Sequence, residues 1–198
     1  MKRATARERR HLKTKQAILD AARQIIAKKG TDALSMRQLA QAIDYSPAAL
    51  YEYFGSKDEI LAAVTAEGHA RLQAAMEQAD GSLSTQERLI ALGLAYIRFA
   101  RTHPEHYLLM FAGAPMQVTL DEASSFTPLL ETIQRGVAQD ELHERPNFGV
   151  LEMAYAAWAL VHGISMLRLN CLREMAAIDL DVADRELLVN FWRGLEAS

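Results

Sequence analysis

Ser35-Met36-Arg37-Gln38-Leu39-Ala40-Gln-Ala-Ile43-Asp44-Tyr45-Ser46-Pro47-Ala48-Ala49-Leu50-Tyr51-Glu52-Tyr53-Phe54-Gly55-Ser56-Lys57 carries the punctuation of two short helices joined by a tight turn, with a third helix starting at its end. Ser35 can cap a helix whose Gln38 reaches back, and Met36, Leu39, Ala40 and Ile43 then share an inward face at i, i+3, i+4 and i+7. Asp44 and Tyr45 make the turn. Ser46 is a second N-cap with Pro47 at the first helical position, where a missing N–H costs nothing and the fixed φ suits the helix. Leu50 and Phe54 point inward, and Gly55 ends the segment. Ser46, Pro47, Ala48, Ala49, Tyr51 and Tyr53 are left facing outward, a small and nearly uncharged surface backed by two phenols. Such a face suits close approach to a major groove, with hydroxyls and free N–H groups reaching phosphates. A hairpin that only builds core shares the same apolar spacing, so the flanking charge must separate the two readings.

Residues 1 to 60 hold 12 Lys and Arg against 7 Asp and Glu, a formal +5, and residues 61 to 198 hold 10 against 18, a formal −8, giving the −3 of the whole chain. The positive field is thus concentrated where the candidate reader lies, as phosphate neutralisation requires. Lys2, Arg3, Arg7, Arg9, Arg10, Lys13 and Lys15 face only Glu8, which reads as a disordered arm running into a helix start. No apolar h-region follows them, so a signal peptide is not expected.

The block from Thr14 to about Leu61 resembles the DNA-binding domain of tetracycline-repressor-like (TetR) transcription regulators. The resemblance rests on Ile18, Leu19, Ala21, Ala22 and Ile25, on Gly30, on Leu34 to Ala40, and above all on Ala49-Leu50-Tyr51-Glu52-Tyr53-Phe54-Gly55-Ser56-Lys57-Asp58-Glu59-Ile60-Leu61. Asp44 departs from the Gly usual at that turn; Asp tolerates the left-handed conformation better than most residues. The resemblance implies DNA contacts from Ser35, Arg37, Ser46, Ala48, Tyr51, Tyr53 and Lys57. Tyr45, Pro47 and Ala49 complete the candidate interface. Lys57 has its own rationale, since Ser56 to Glu59 spells a capping box at a helix start, where a cation and free N–H groups hold a phosphate.

With half of 198 residues apolar, five Pro and ten Gly, the chain suits an all-α fold of two domains, residues 1–60 and 61–198. A single cysteine, Cys171, precludes an internal disulfide and fits a reducing cytoplasm. No run of eighteen apolar residues occurs, so no membrane span is expected. Helices are expected from Lys57 to Ala79, from a Ser84-to-Glu87 capping box to His103, from Pro104 to Phe111, from Phe126 to Asp140, from Asn147 to Leu172, and from beyond an acidic link over Asp179 to Asp184 as far as Leu195. Residues 116–125 read as a loop. Leu151, Ala154, Trp158, Leu187, Leu188, Phe191 and Leu195 exceed what one bundle must bury, which points to a homodimer through the last two long helices.

Trp158-Ala-Leu-Val-His162-Gly163 and the run His103 to Phe111 resemble the carboxy-terminal domain of a TetR subgroup named for its Trp, His and Gly. Tyr96, Phe99, Tyr107, Met110, Phe111, Trp158, His162 and Met166 supply aromatic and sulfur-bearing walls suited to a largely apolar or aromatic effector. The alternative is that Tyr155, Trp158 and Met166 are core and His162 bonds a neighbouring carbonyl. His103, Glu105 and His106, or His143 and Glu144, form no strong metal pattern, and no phosphate loop or nucleophile elbow is present, so neither metal, cofactor nor catalysis is expected. The expectation is a dimeric repressor on a near-palindromic double-stranded DNA operator, released by a small molecule; the alternative is a ligand-independent architectural or interaction protein with the same head.

Overall fold

The computed structural model describes residues 5–79, 81–111, 125–172 and 178–196. Among them the regular elements are helices, with two isolated bridges between loop segments, so the fold is all-α. In chain order they are α1 (Ala6–Lys29), α2 (Met36–Ala42), α3 (Pro47–Leu50), α4 (Lys57–Glu77), α5 (Thr85–Thr102), α6 (Pro104–Phe111), α7 (Thr127–Ala138), α8 (Val150–Asn170) and α9 (Leu180–Leu195). The loop expected over 116–125 lies, Ser125 apart, outside the described residues.

Two compact units result: Met1–Gly68 with Glu105–Ala114, and His69–Pro104 with Pro115–Ser198. The boundary expected at residue 60 therefore falls inside α4. The reason is packing: Ile60 and Val64 of α4 and Leu109 of α6 join Ile18, Ala22, Leu39 and Leu50 in one core. Gly68 permits the close approach of α4 to α6, since a Cβ there would lie 2.8 Å from Met110 Sδ.

α1 begins at Ala6 with a complete capping box between Thr5 and Glu8, so the basic stretch from Arg7 to Lys15 is helix and not a disordered arm. The cap satisfies N–H groups that a helix start otherwise leaves unmet. Asp44 turns the chain between α2 and α3 at φ 58°, the left-handed conformation its position requires.

In the second unit α5 packs against α7, α8 and α9. A Cβ on Gly93 would lie 2.8 Å from Leu188 Cδ2 and 3.3 Å from Val161 Cγ1, so glycine sets the α5 crossing. Leu188, Ala154 and Leu195 are accordingly buried in the chain's own bundle, which corrects their assignment to a dimer face. The apolar residues left exposed are Leu151, Tyr155 and Leu167 on α8, and Val182 and Leu187 on α9. α8 starts at Val150 and not Asn147, because Asn147 sits at φ 63°; Glu152 accepts the Gly149 N–H at 2.9 Å. The acidic link is also corrected: Asp179 caps α9 by accepting from Asp181 N and Val182 N, and Asp181 to Asp184 form its first turn. α8 is long and apolar enough to cross a membrane by length and composition, yet it packs on α5 and α7 and its Arg168 is ion-paired to the buried Asp184.

Candidate functional site

The two N-caps of the reader form as their residue types require. Ser35 Oγ accepts from Gln38 N at 3.2 Å, and Ser46 Oγ from Ala49 N at 3.2 Å. Gln38 does not complete a box with Ser35; its Oε1 is buried without a hydrogen-bond partner. α3 is a single turn, Pro47–Leu50, and the chain continues as turn through Tyr53. Leu50 and Phe54 face the core.

Arg37, Tyr45, Ser46, Pro47, Ala48 and Tyr51 are exposed, while Ser35, Ala49, Tyr53 and Lys57 are half-buried. Each phenol has a different anchorage. Tyr51 is 56% exposed and stands free of the core, Tyr45 Oη lies 3.2 Å from Thr14 Oγ1, and the Tyr53 ring stacks on His11 at 4.7 Å. α1 thus braces the reader through His11 and Thr14, two residues that sequence reasoning missed. No local signal marks them, because their partners are 42 and 31 positions away in the chain. Lys15 is not a free arm cation either, since its ammonium sits 4.9 Å from the centre of the Phe54 ring.

At the start of α4, Ser56 Oγ accepts from Glu59 N at 3.2 Å, and Glu59 reaches Gly55 N at 2.7 Å in place of Ser56 N. Lys57 therefore stands at a helix start whose nearest N–H groups are partly engaged by the chain's own residues. Around α1, Arg7, Arg9, Arg10 and Lys13 are exposed on one basic helical turn and its successor. The surface that results has small side chains on α3, exposed hydroxyls and adjacent cations, the inventory used for phosphate and base-edge contact.

The eight residues expected to line one effector cavity fall in both units. Tyr96, Phe99, Trp158, His162 and Met166 belong to the second, and Tyr107, Met110 and Phe111 to the first. Tyr107 is fully buried and stacks edge-on with Phe111 at 4.9 Å, and Met110 fills the space above Gly68. In the second unit Tyr96 is the hub. Trp158 Nε1 donates to its Oη at 3.2 Å, and the same oxygen lies 3.2 Å from His162 Nδ1. A chain running from the indole N–H through the phenol O–H to Nδ1 satisfies all three groups. Burial pushes the His162 pKa down, which favours the neutral ring this chain needs. His162 Nδ1 thus pairs with a phenol, and Tyr155, 65% exposed, is not core.

His106 is buried in the first unit, with Nδ1 3.3 Å from Glu105 Oε1 and Nε2 3.9 Å from Glu67 Oε2; Glu67 in turn lies 3.7 Å from Arg23 Nε on α1. The Glu105 carboxylate thus gives the buried ring a hydrogen-bond partner at Nδ1, and burial pushes its pKa down. A separate cavity of about 350 Å3 opens in the second unit among α5, α8 and α9.

Comparison with known proteins agrees with this geometry. Residues 18–64 match the family described as bacterial regulatory proteins, tetR family, and residues 89–189 match the tetracyclin repressor-like C-terminal domain. The HTH-type transcriptional regulator BetI of Rhizobium meliloti (strain 1021) is 41% identical over 49 residues, 25% of this chain and 24% of that protein, so the match spans about a quarter of that curated relative. A protein of unknown function from Rhodococcus sp. RHA1 superimposes with a TM-score of 0.77 at 28% identity, covering 92% of this chain and 95% of its own. The TetR family transcriptional regulator PfmR from Thermus thermophilus gives 0.68 at 25% identity, covering 99% and 100%. A tetR family regulatory protein from Rhodococcus RHA1, 20% identical with a TM-score of 0.71 over 93% and 97%, shares the fold.

Proposed function

The chain belongs to the tetR family of bacterial regulatory proteins, DNA-binding transcriptional regulators with a helix-turn-helix head, and on that premise we propose that it is a homodimeric repressor released from a near-palindromic operator by a small molecule. The observation that carries this is the exposed start of α3, where Ser46, Pro47 and Ala48 present only small side chains beside the exposed Tyr51. Two such heads on a two-fold dimer would read half-sites about 34 to 36 Å apart, or a multiple of it. Leu151, Tyr155, Leu167, Val182 and Leu187 supply the apolar surface for pairing α8 and α9 with their two-fold copies, a use that their exposure supports. The protein would act in the cytoplasm, where its operator is.

Effector binding in the second unit would alter the setting of the helix that leaves the head, with a coupling of about 1 to 3 kcal/mol. The Tyr96, Trp158 and His162 cluster supports the Trp-His-Gly resemblance and offers an aromatic wall with a polar handle. A ligand-independent architectural protein would need no cavity, and the space among α5, α8 and α9 favours the regulated reading.

Mobility-shift titration at several salt concentrations, with light scattering, tests the proposal. Tyr51→Ala should weaken operator binding without loss of fold, and Lys57→Ala should lower the salt slope by about one unit. Tyr155→Glu with Leu187→Glu should give monomers that lose specific binding. Wild-type affinity in both head variants, or a persisting dimer in the double variant, would refute the respective assignment.

A further inference from the structure

The cavity among α5, α8 and α9 has two chemical sides. Ile97 and Ala100 of α5, Leu169 of α8 and Leu180 of α9 provide apolar walls, and Arg101 and Arg168 provide guanidinium groups. The Arg168 side chain is only 11% exposed, and its Nε–H is buried without a hydrogen-bond partner. A charged donor left unmet in that setting carries a desolvation cost that an acceptor oxygen would remove.

Both guanidinium groups already converge on one carboxylate. Asp181 Oδ1 lies 3.0 Å from Arg101 Nη1 and 3.0 Å from Arg168 Nη2, and Arg101 Nη1 also reaches Oδ2 at 3.2 Å. Asp181 is 68% exposed, so it can leave the clamp for water at small cost. Asp184 is different: it is buried, sits 2.7 Å from Arg168 Nη2, and is the fixed counter-charge of that residue. The hydrogen bond from Arg101 holds the Asp181 carboxyl below the usual range, as expected of a clamp built for an ionised carboxylate.

We propose that this cavity binds a small carboxylic acid with an apolar body, whose carboxylate displaces Asp181 from between Arg101 and Arg168 while the body lies against Ile97, Ala100, Leu169 and Leu180. The exchange replaces one carboxylate by another in the clamp, so its charge balance is kept, and Asp181 regains full hydration. An amine of the same shape would face two guanidinium groups, and an alcohol would bring only a neutral acceptor. The volume is at the lower end for small-molecule sites, which selects short chains or single rings. This inference rests on reading the second domain as effector-binding, and it gives that effector a chemical class.

Octanoate is the probe, with 1-octanol and octylamine as controls, titrated into the full-length protein by calorimetry. Octanoate should bind about tenfold or more tighter than either control, the cost of losing one charge-assisted contact. Asp181→Asn removes the internal competitor at constant size and should tighten octanoate binding, a gain that no misfolded variant can produce. Arg168→Lys keeps a cation beside Asp184 but loses the fork and the Nε–H, and Ala100→Phe fills the cavity without touching a charge; both should weaken octanoate about tenfold or more. Equal binding of octanoate and octanol, no gain in Asp181→Asn, or unchanged binding in Ala100→Phe would each overturn the site. Mobility shifts separate it from the repressor reading. Octanoate that shows the Asp181→Asn gain but leaves DNA bound sustains the site and removes its effector role. Release by octanoate that persists in Arg168→Lys and Ala100→Phe sustains an effector and overturns this site.

Discussion

The head and the bundle are built by different kinds of information. In the head, each boundary is a local event: Ser35 and Ser46 cap, Pro47 opens a helix, Asp44 turns the chain at φ 58°. In the bundle, the decisive contacts join residues far apart, such as Gly93 against Leu188 and Tyr96 with Trp158 and His162. Local rules read the first from a dozen residues. They read the second as a list of apolar positions without saying which neighbour each one meets.

The sharpest break between the two faces of the last helix is Leu188 against Leu187. Leu188 is 4% exposed and packs over Gly93, so Leu188→Ala should cost about 2 to 5 kcal/mol of unfolding free energy. Leu187 is 47% exposed, and Leu187→Ala should leave the folded monomer within about 0.5 kcal/mol while weakening self-association. Urea unfolding over a range of protein concentrations separates the two effects. Similar losses from both substitutions would mean that the faces of α9 are wrongly divided.

That pair also marks where the sequence stops being legible. Periodicity alone gives Leu187 and Leu188 the same apolar character, and only the crossing of α5, fixed by a residue 95 positions away, sends one inward. The acidic run from Asp179 to Asp184 read as a link for the same reason, since its charges are matched by Arg101 and Arg168 on other helices. The head was legible to within its caps, yet His11 and Thr14 went unnoticed because their partners lie beyond any local window. The residues expected at a DNA surface on α2 and α3 lie within one unit, whereas the set expected around an effector is divided between two because Leu109 of α6 packs into the core of the head.

Acidification should weaken both units, because each holds a histidine whose pKa burial pushes below the usual value: His106 in the first, His69 and His162 in the second. For such groups the unfolded state binds the proton first. Their contribution is intact above the unfolded pKa of about 6.5 and is lost as pH falls from there through the lower folded values. Asp184, raised by burial, works in the opposite direction at lower pH. Thermal melts from pH 8 to 5.5 should therefore show falling stability, with a shallower slope in His162→Gln. A flat or rising profile would show that these rings are not held neutral.

The smallest effect separates capping from contact at a single atom. Ser46 Oγ accepts from Ala49 N at 3.2 Å, which leaves its O–H free to donate to a phosphate. Ser46→Ala removes both functions, so it should cost about 1 kcal/mol of stability and also weaken DNA binding. Ser46→Asp keeps a good N-cap acceptor but places a negative charge where a phosphate would sit. It should melt with or above the wild type and still lose operator affinity. If Ser46→Asp binds DNA as tightly as the wild type, the start of α3 does not face the backbone. If it melts as low as Ser46→Ala, the Ser46 cap is not what holds this turn. Only a stable variant with impaired binding fits a residue that serves the fold with its lone pair and the DNA with its proton.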